Sequence, residues 1–120
     1  MADCGFTSGK EIILDVLKQM KLPPRLLYPF VKLGARLYGG FELEEWSAAE
    51  AMESCKVPVI FFHGEADDYV PCRMSRQNYE ICRTRKQLVL VPGAGHGLSY
   101  PAAPEEYLEH LRQFYHTEGE

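Results

Sequence analysis

Asp67 and His96 are the two residues whose types and placement could do chemistry together. A carboxylate can hold one ring nitrogen of a histidine by a hydrogen bond, leaving the other nitrogen to take a proton from a nucleophile. Each of the two follows an apolar run. Val59-Ile60-Phe61-Phe62 stops at His63-Gly64 and turns acidic through Glu65, Asp67 and Asp68. Leu88-Val89-Leu90-Val91 stops at the glycine-rich loop Pro92-Gly93-Ala94-Gly95-His96-Gly97. If both runs are neighbouring parallel strands, ~4.8 Å apart, the following loops lie within side-chain reach. Spacing alone equally allows a plainer arrangement, with Asp67 capping a helix at Pro71 and His96 incidental in its loop.

The elements that must position this pair can be read from periodicity. The run at Val57–Phe62 is apolar on both faces, as a strand buried in a parallel sheet must be. Pro71 is placed as the first residue of a helix reaching Arg83. A second strand spans about Gln87–Val91, and Pro104 starts a last helix with Tyr107, Leu108, Leu111, Phe114 and Tyr115 on one face. Residues 116–120 read as a polar, frayed tail. Strand, helix, strand, helix implies parallel strands joined by right-handed crossovers, an α/β fold.

Upstream, Ser8 with Glu11 and Ser47 with Glu50 have capping-box spacing, each opening a helix. The first ends at Pro23-Pro24. The stretch Pro24–Tyr38 is rich in large apolar residues, with Pro29 expected to break or restart the helix and Gly39-Gly40 to close it. So much apolar surface must cover something, either a core or a pocket, and core packing is the plainer reading.

At 120 residues and 46% hydrophobic, this is a single globular domain by length and composition. A net charge of −4 argues against nucleic acid or an anionic membrane as partner. The basic residues Arg73, Arg76, Arg83, Arg85 and Lys86 read as a solvated helix face. The first ten residues lack the pattern of a signal peptide, and no apolar run approaches the ~20 residues that cross a bilayer. The expected location is cytoplasmic. Cys4, Cys55, Cys72 and Cys82 show no C-x-x-C spacing, so reduced thiols are expected and no metal site.

His63-Gly64-x-x-Asp67-x-x-Val70-Pro71 followed by Gly93-x-Gly95-His96 resembles the C-terminal part of α/β-hydrolase-fold serine hydrolases of bacterial cytoplasmic esterase or peptidase type. Ala2–Ser8 is similar to the end of that family's sixth strand. The resemblance implies a partial α/β-hydrolase fold: about three parallel strands flanked by helices, with residues 8–46 as a lid and 47–120 carrying acid and base. It implies that Asp67, rather than Asp68, is the acid and His96 the base in hydrolysis of a small ester, thioester or amide, with no cofactor. The family's nucleophile sits on G-x-S-x-G, and no such motif occurs here. The chain alone is therefore expected to be inactive, and the rival reading is a non-catalytic interaction module. Cys72, at a helix start, is the one substitute nucleophile to weigh, and a packed thiol is the favoured reading. His63 is expected to be structural, and His110 and His116 to lie on a helix surface. Loss of neighbouring strands beside residue 1 implies a homo-oligomer, with residues 1–46 in contact.

Overall fold

The computed structural model describes residues 1–116; of the polar tail expected at 116–120, His116 is the last residue of a helix and 117–120 lie outside the described residues. Three parallel strands, β1 (Ala2–Asp3), β2 (Val59–Gly64) and β3 (Lys86–Val91), form a sheet in the order β1-β2-β3. The central strand is buried along its whole length. It begins at Val59, two residues later than its apolar run suggests. Pro58 has no N–H to give to a ladder, and pairing starts with Val59 opposite Lys86.

Alternation along β2 builds two cores. Ile60 and Phe62 face α6 (Pro104–His116) and pack with Val89, Tyr107 and Phe114. Val59 and Phe61 face the other way, against Cys82, Met52 and Tyr79, from α3 (Ala48–Ser54) and α4 (Cys72–Ile81) with its C-cap. Helices thus cover both faces, as the parallel pattern requires. Burying each such side chain is worth ~1.5–3 kcal/mol, so the sheet core is the main source of stability. Lys86 fastens α4 to the start of β3, its Nζ donating to the carbonyls of Tyr79 at 2.7 Å and Cys82 at 2.8 Å.

Residues between the strands at 3 and 59 make a helical excursion: α1 (Gly9–Gln19), α2 (Pro24–Gly34) and a π-helical turn (Ala35–Gly39). Both capping serines act as expected. Ser8 Oγ accepts the Glu11 N–H and Ser47 Oγ the Glu50 N–H. The same two serines pair as an isolated bridge, and Ala49 N–H donates to the Thr7 carbonyl at 3.1 Å, so the excursion leaves and rejoins the sheet at one point. Gly9 permits this closure: a Cβ there would lie 2.7 Å from the Leu43 carbonyl oxygen. Gly40, left-handed at φ 69°, ends the helical run.

Two expectations for this segment fail. Pro29 does not break the helix; α2 runs through it. Pro29, sixth of the eleven residues, forfeits one backbone bond, and the turns on either side hold without it. Most large apolar residues of α2 and the π-helical turn are not core either: Leu26 and Phe30 are 64% and 67% exposed, and Leu33, Leu37 and Tyr38 are also exposed. Only Leu17 and Tyr28 are buried in the excursion. Tyr28 donates to Glu44, which also binds Lys32 at 2.7 Å and Lys10 at 3.3 Å. Arg73 of α4 pairs with Asp15 and ties the excursion to the sheet layer.

Candidate active site

The site is built at the carboxyl ends of β2 and β3, the edge where open α/β sheets place their ligands. Gly64 ends β2, and the His96 loop crosses directly over it: a Cβ on Gly64 would lie 2.2 Å from the Ala94 carbonyl oxygen. Glu65 N–H donates to the Val91 carbonyl and Ala66 N–H to that of Ala94, both at 3.0 Å. The loops after β2 and β3 are thereby stitched together before any side chain takes part.

Asp67 is anchored from three sides. Its Oδ1 accepts the backbone N–H of Tyr69 at 3.0 Å and of Val70 at 2.8 Å. These bonds form a turn within the loop and do not cap α4, which begins at Cys72 with Pro71 as its N-cap. Its Oδ2 lies 2.8 Å from His96 Nδ1 and 3.1 Å from His63 Nε2. The carboxylate side chain is fully buried, while the His96 side chain is 42% exposed. Burial alone would raise the Asp67 carboxyl. The hydrogen bonds from His96, Val70 and Tyr69 outweigh it and hold the group below its ordinary range. Asp68, one residue on, is exposed.

His63 is structural, as expected. It is wholly buried, with Nε2 2.8 Å from the Val70 carbonyl and Nδ1 2.6 Å from Ser75 Oγ. Both oxygens facing Nε2, on Val70 and Asp67, only accept, so Nε2 carries a proton and holds Asp67 from behind. His96 Nδ1 likewise donates to Asp67. Its Nε2 has no partner among the described residues, and the Tyr69 ring packs beside it with centroids 5.2 Å apart. The arrangement can therefore accept a proton at one defined, outward nitrogen.

Other candidates fall away. Burial pushes the Cys72 thiol up, against Arg76, with smaller contributions from Glu65 and Asp67, so no thiolate is poised there. The basic residues are engaged: Arg83 with Glu53 at 2.9 Å, Arg76 with Glu65 at 3.8 Å, and Arg85 with the Phe114 carbonyl at 2.6 Å. His110 is half-buried and bonds Gln87 at 3.0 Å. All four cysteines are free. Among the described residues no helix is long and apolar enough to cross a membrane.

Two site residues escaped the sequence reading: Gly64, whose role is a close approach, and Cys4, just after β1. Cys4 Sγ accepts the Gly97 N–H at 3.3 Å and donates to Asp3 Oδ1 at 3.1 Å. Asp3 also takes hydroxyl bonds from Tyr107 at 2.9 Å and Ser99 at 3.2 Å. A short helix, α5 (Ser99–Ala102), carries that serine. Only the folded arrangement brings these residues together; a left-handed Cys4 was the one local signal, and sequence does not carry it.

An open parallel sheet with acid and histidine on successive strand ends defines an α/β-hydrolase fold. Solved structures share it. The meta-cleavage product hydrolase CumD of Pseudomonas fluorescens superimposes with a TM-score of 0.55 at 17% identity, covering 97% of this chain and 48% of that one. The esterase RhEst1 of a Rhodococcus species gives 0.51 at 20% identity, covering 61% and 25%. The family model described as Serine hydrolase (FSH1) matches residues 11–100, and the chain belongs to that family. The Bacillus subtilis protein YqkD, described as uncharacterized, is 29% identical over 115 residues. That match takes in 95% of this chain and 38% of YqkD, so the chain spans well under half of that relative.

Proposed function

We propose that this chain supplies the acid and base of a serine hydrolase acting on small esters, thioesters or amides. Asp67 fixes the imidazole of His96, and His96 Nε2 takes the proton of an attacking serine and returns it to the leaving group. The serine is one this sequence does not contain. The observation that carries the reading is the 2.8 Å contact between His96 Nδ1 and Asp67 Oδ2, with the carboxylate buried and the far nitrogen open. Residues 8–46 are the lid: the excursion closes on itself at Ser8 and Ser47 and presents an apolar stripe. The setting is cytoplasmic, which the free cysteines support.

The test is a chimera in which this chain replaces the matched part of YqkD, assayed on short-chain p-nitrophenyl esters beside intact YqkD. Turnover should fall about 10⁴-fold in Asp67→Asn and about 10⁶-fold in His96→Ala. A folded chimera whose turnover ignores His96→Ala contradicts the assignment. The chain by itself should show no turnover that depends on His96.

The exposed stripe of Leu26, Phe30 and Leu33 favours a second reading, association of copies. Its residues recur at helical spacing on one face of α2, and such a face gains from being covered. Light scattering after size exclusion should give a dimer or larger at micromolar concentration, reduced to a monomer by Phe30→Glu. A stable wild-type monomer removes this reading and leaves the catalytic one standing.

A further inference from the structure

Cys4 occupies a place that the catalytic reading leaves unused. It follows β1 with a left-handed backbone, φ 53°, which a side chain other than glycine adopts only where its surroundings hold it. Its sulfur is buried. One ligand atom from each of Cys4, Asp67 and His96 lies within 4.8 Å of the others.

A nucleophilic role for this thiol is disfavoured. Burial pushes its pKa up, the bond and charge of Asp3 push the same way, and the amides of Gly97 and Gly64 only partly oppose them. At neutral pH the group is a thiol that donates to Asp3. Thiol, imidazole and carboxylate together are instead the donor set of a borderline-soft divalent cation. Magnesium and calcium, which want six or more oxygens, do not suit it.

We propose that Cys4, Asp67 and His96 form a reversible zinc site, three protein ligands with the fourth position open to solvent. Ligand atoms around tetrahedral zinc stand about 3.3–3.6 Å apart, so a group spread over as much as 4.8 Å must close by up to about 1.5 Å. The His96 loop can supply that movement: Gly93 and Gly97 both have positive φ, at 71° and 68°, and Gly95 lies between them. The thiol proton leaves to solvent as the sulfur–zinc bond forms. Zinc takes the place of the proton between His96 Nδ1 and Asp67, so the neutral imidazole's one proton moves from Nδ1 to the outward Nε2 by exchange with solvent, and no electrons change hands. Asp3 loses the Cys4 donor but keeps the hydroxyls of Tyr107 and Ser99. The sulfur keeps the Gly97 N–H, an outer-shell bond that suits a thiolate better than a thiol. Zinc held there would occupy His96 and silence it as a base. The site needs only its three ligands, so its test is independent of whether the pair is catalytic.

Cobalt(II), which reports thiolate ligation by absorption, should give a sulfur-to-metal band in the near ultraviolet that zinc abolishes by competition. The band should disappear in Cys4→Ser, where the hydroxyl can still bond Asp3 and Gly97, and persist in Cys72→Ser. Zinc affinity should fall about 100-fold or more in Cys4→Ser and His96→Gln, at or beyond the ~10–100-fold typical of losing an outer-shell partner. A second measurement needs no variant: zinc should slow alkylation of Cys4 in the wild-type chain, read by mass spectrometry. No band in the wild type, a band unchanged in Cys4→Ser, or alkylation of Cys4 indifferent to zinc would each overturn the site.

Discussion

Gly64 lies so close under the Ala94 carbonyl that a Cβ would approach its oxygen to 2.2 Å. The pairing of Asp67 with His96 depends on that approach, because the two side chains come from loops 29 residues apart that touch first through backbone. Gly64→Ala should therefore lift the His96 loop and destabilise the fold by about 1–3 kcal/mol, the usual cost of overpacking. Urea denaturation measures the loss. A variant of unchanged stability would mean that the loop yields freely and does not fix His96.

Asp67→Asn should cost about 1–3 kcal/mol at neutral pH. The amide nitrogen would face the N–H groups of His96 and His63, donor against donor, in a place with no solvent. The carboxyl is held below its unfolded value, so its contribution is complete above the unfolded range of about 3.9 and fades as pH falls through the folded value. The stability gap between wild type and Asp67→Asn should accordingly narrow on acidification. A gap constant from pH 7 to pH 2 would show that the charge is not what matters.

The excursion should respond to acid through another group. Lys32, Tyr28 and Lys10 hydrogen-bond Glu44 and hold its carboxyl down to about 2, from an ordinary 4.5. Its ties are present above pH 4.5 and lost as pH falls towards 2. Limited pepsin digestion across that interval should cut first within residues 20–46. First cuts in the sheet layer would contradict a separately anchored excursion.

What could be read from sequence was what short stretches decide alone. Ser8 and Ser47 cap their helices because a cap needs only the next three residues. β2 was legible because a strand buried on both faces has no polar position to spare. Topology, which brings strand ends together, made Asp67 and His96 a possible pair, but spacing left a cap and an incidental histidine equally open, and the family resemblance made the choice. Gly64, Cys4 and the backing of Asp67 by His63 were not legible, since each depends on a neighbour from another element. The stripe on α2 misled for the opposite reason: apolar periodicity shows that a face wants cover, and says nothing of whether the cover lies within the same chain.

The central claim is that Asp67 holds His96 with its proton on Nδ1, leaving Nε2 bare. Nitrogen-15 and proton NMR of the imidazole measures this directly at a pH where the ring is neutral. The account predicts the Nδ1–H form, with a low-field proton resonance that vanishes in Asp67→Asn as the ring reverts to mixed tautomers. An Nε2–H ring in the wild type, or a spectrum unchanged by Asp67→Asn, would contradict it.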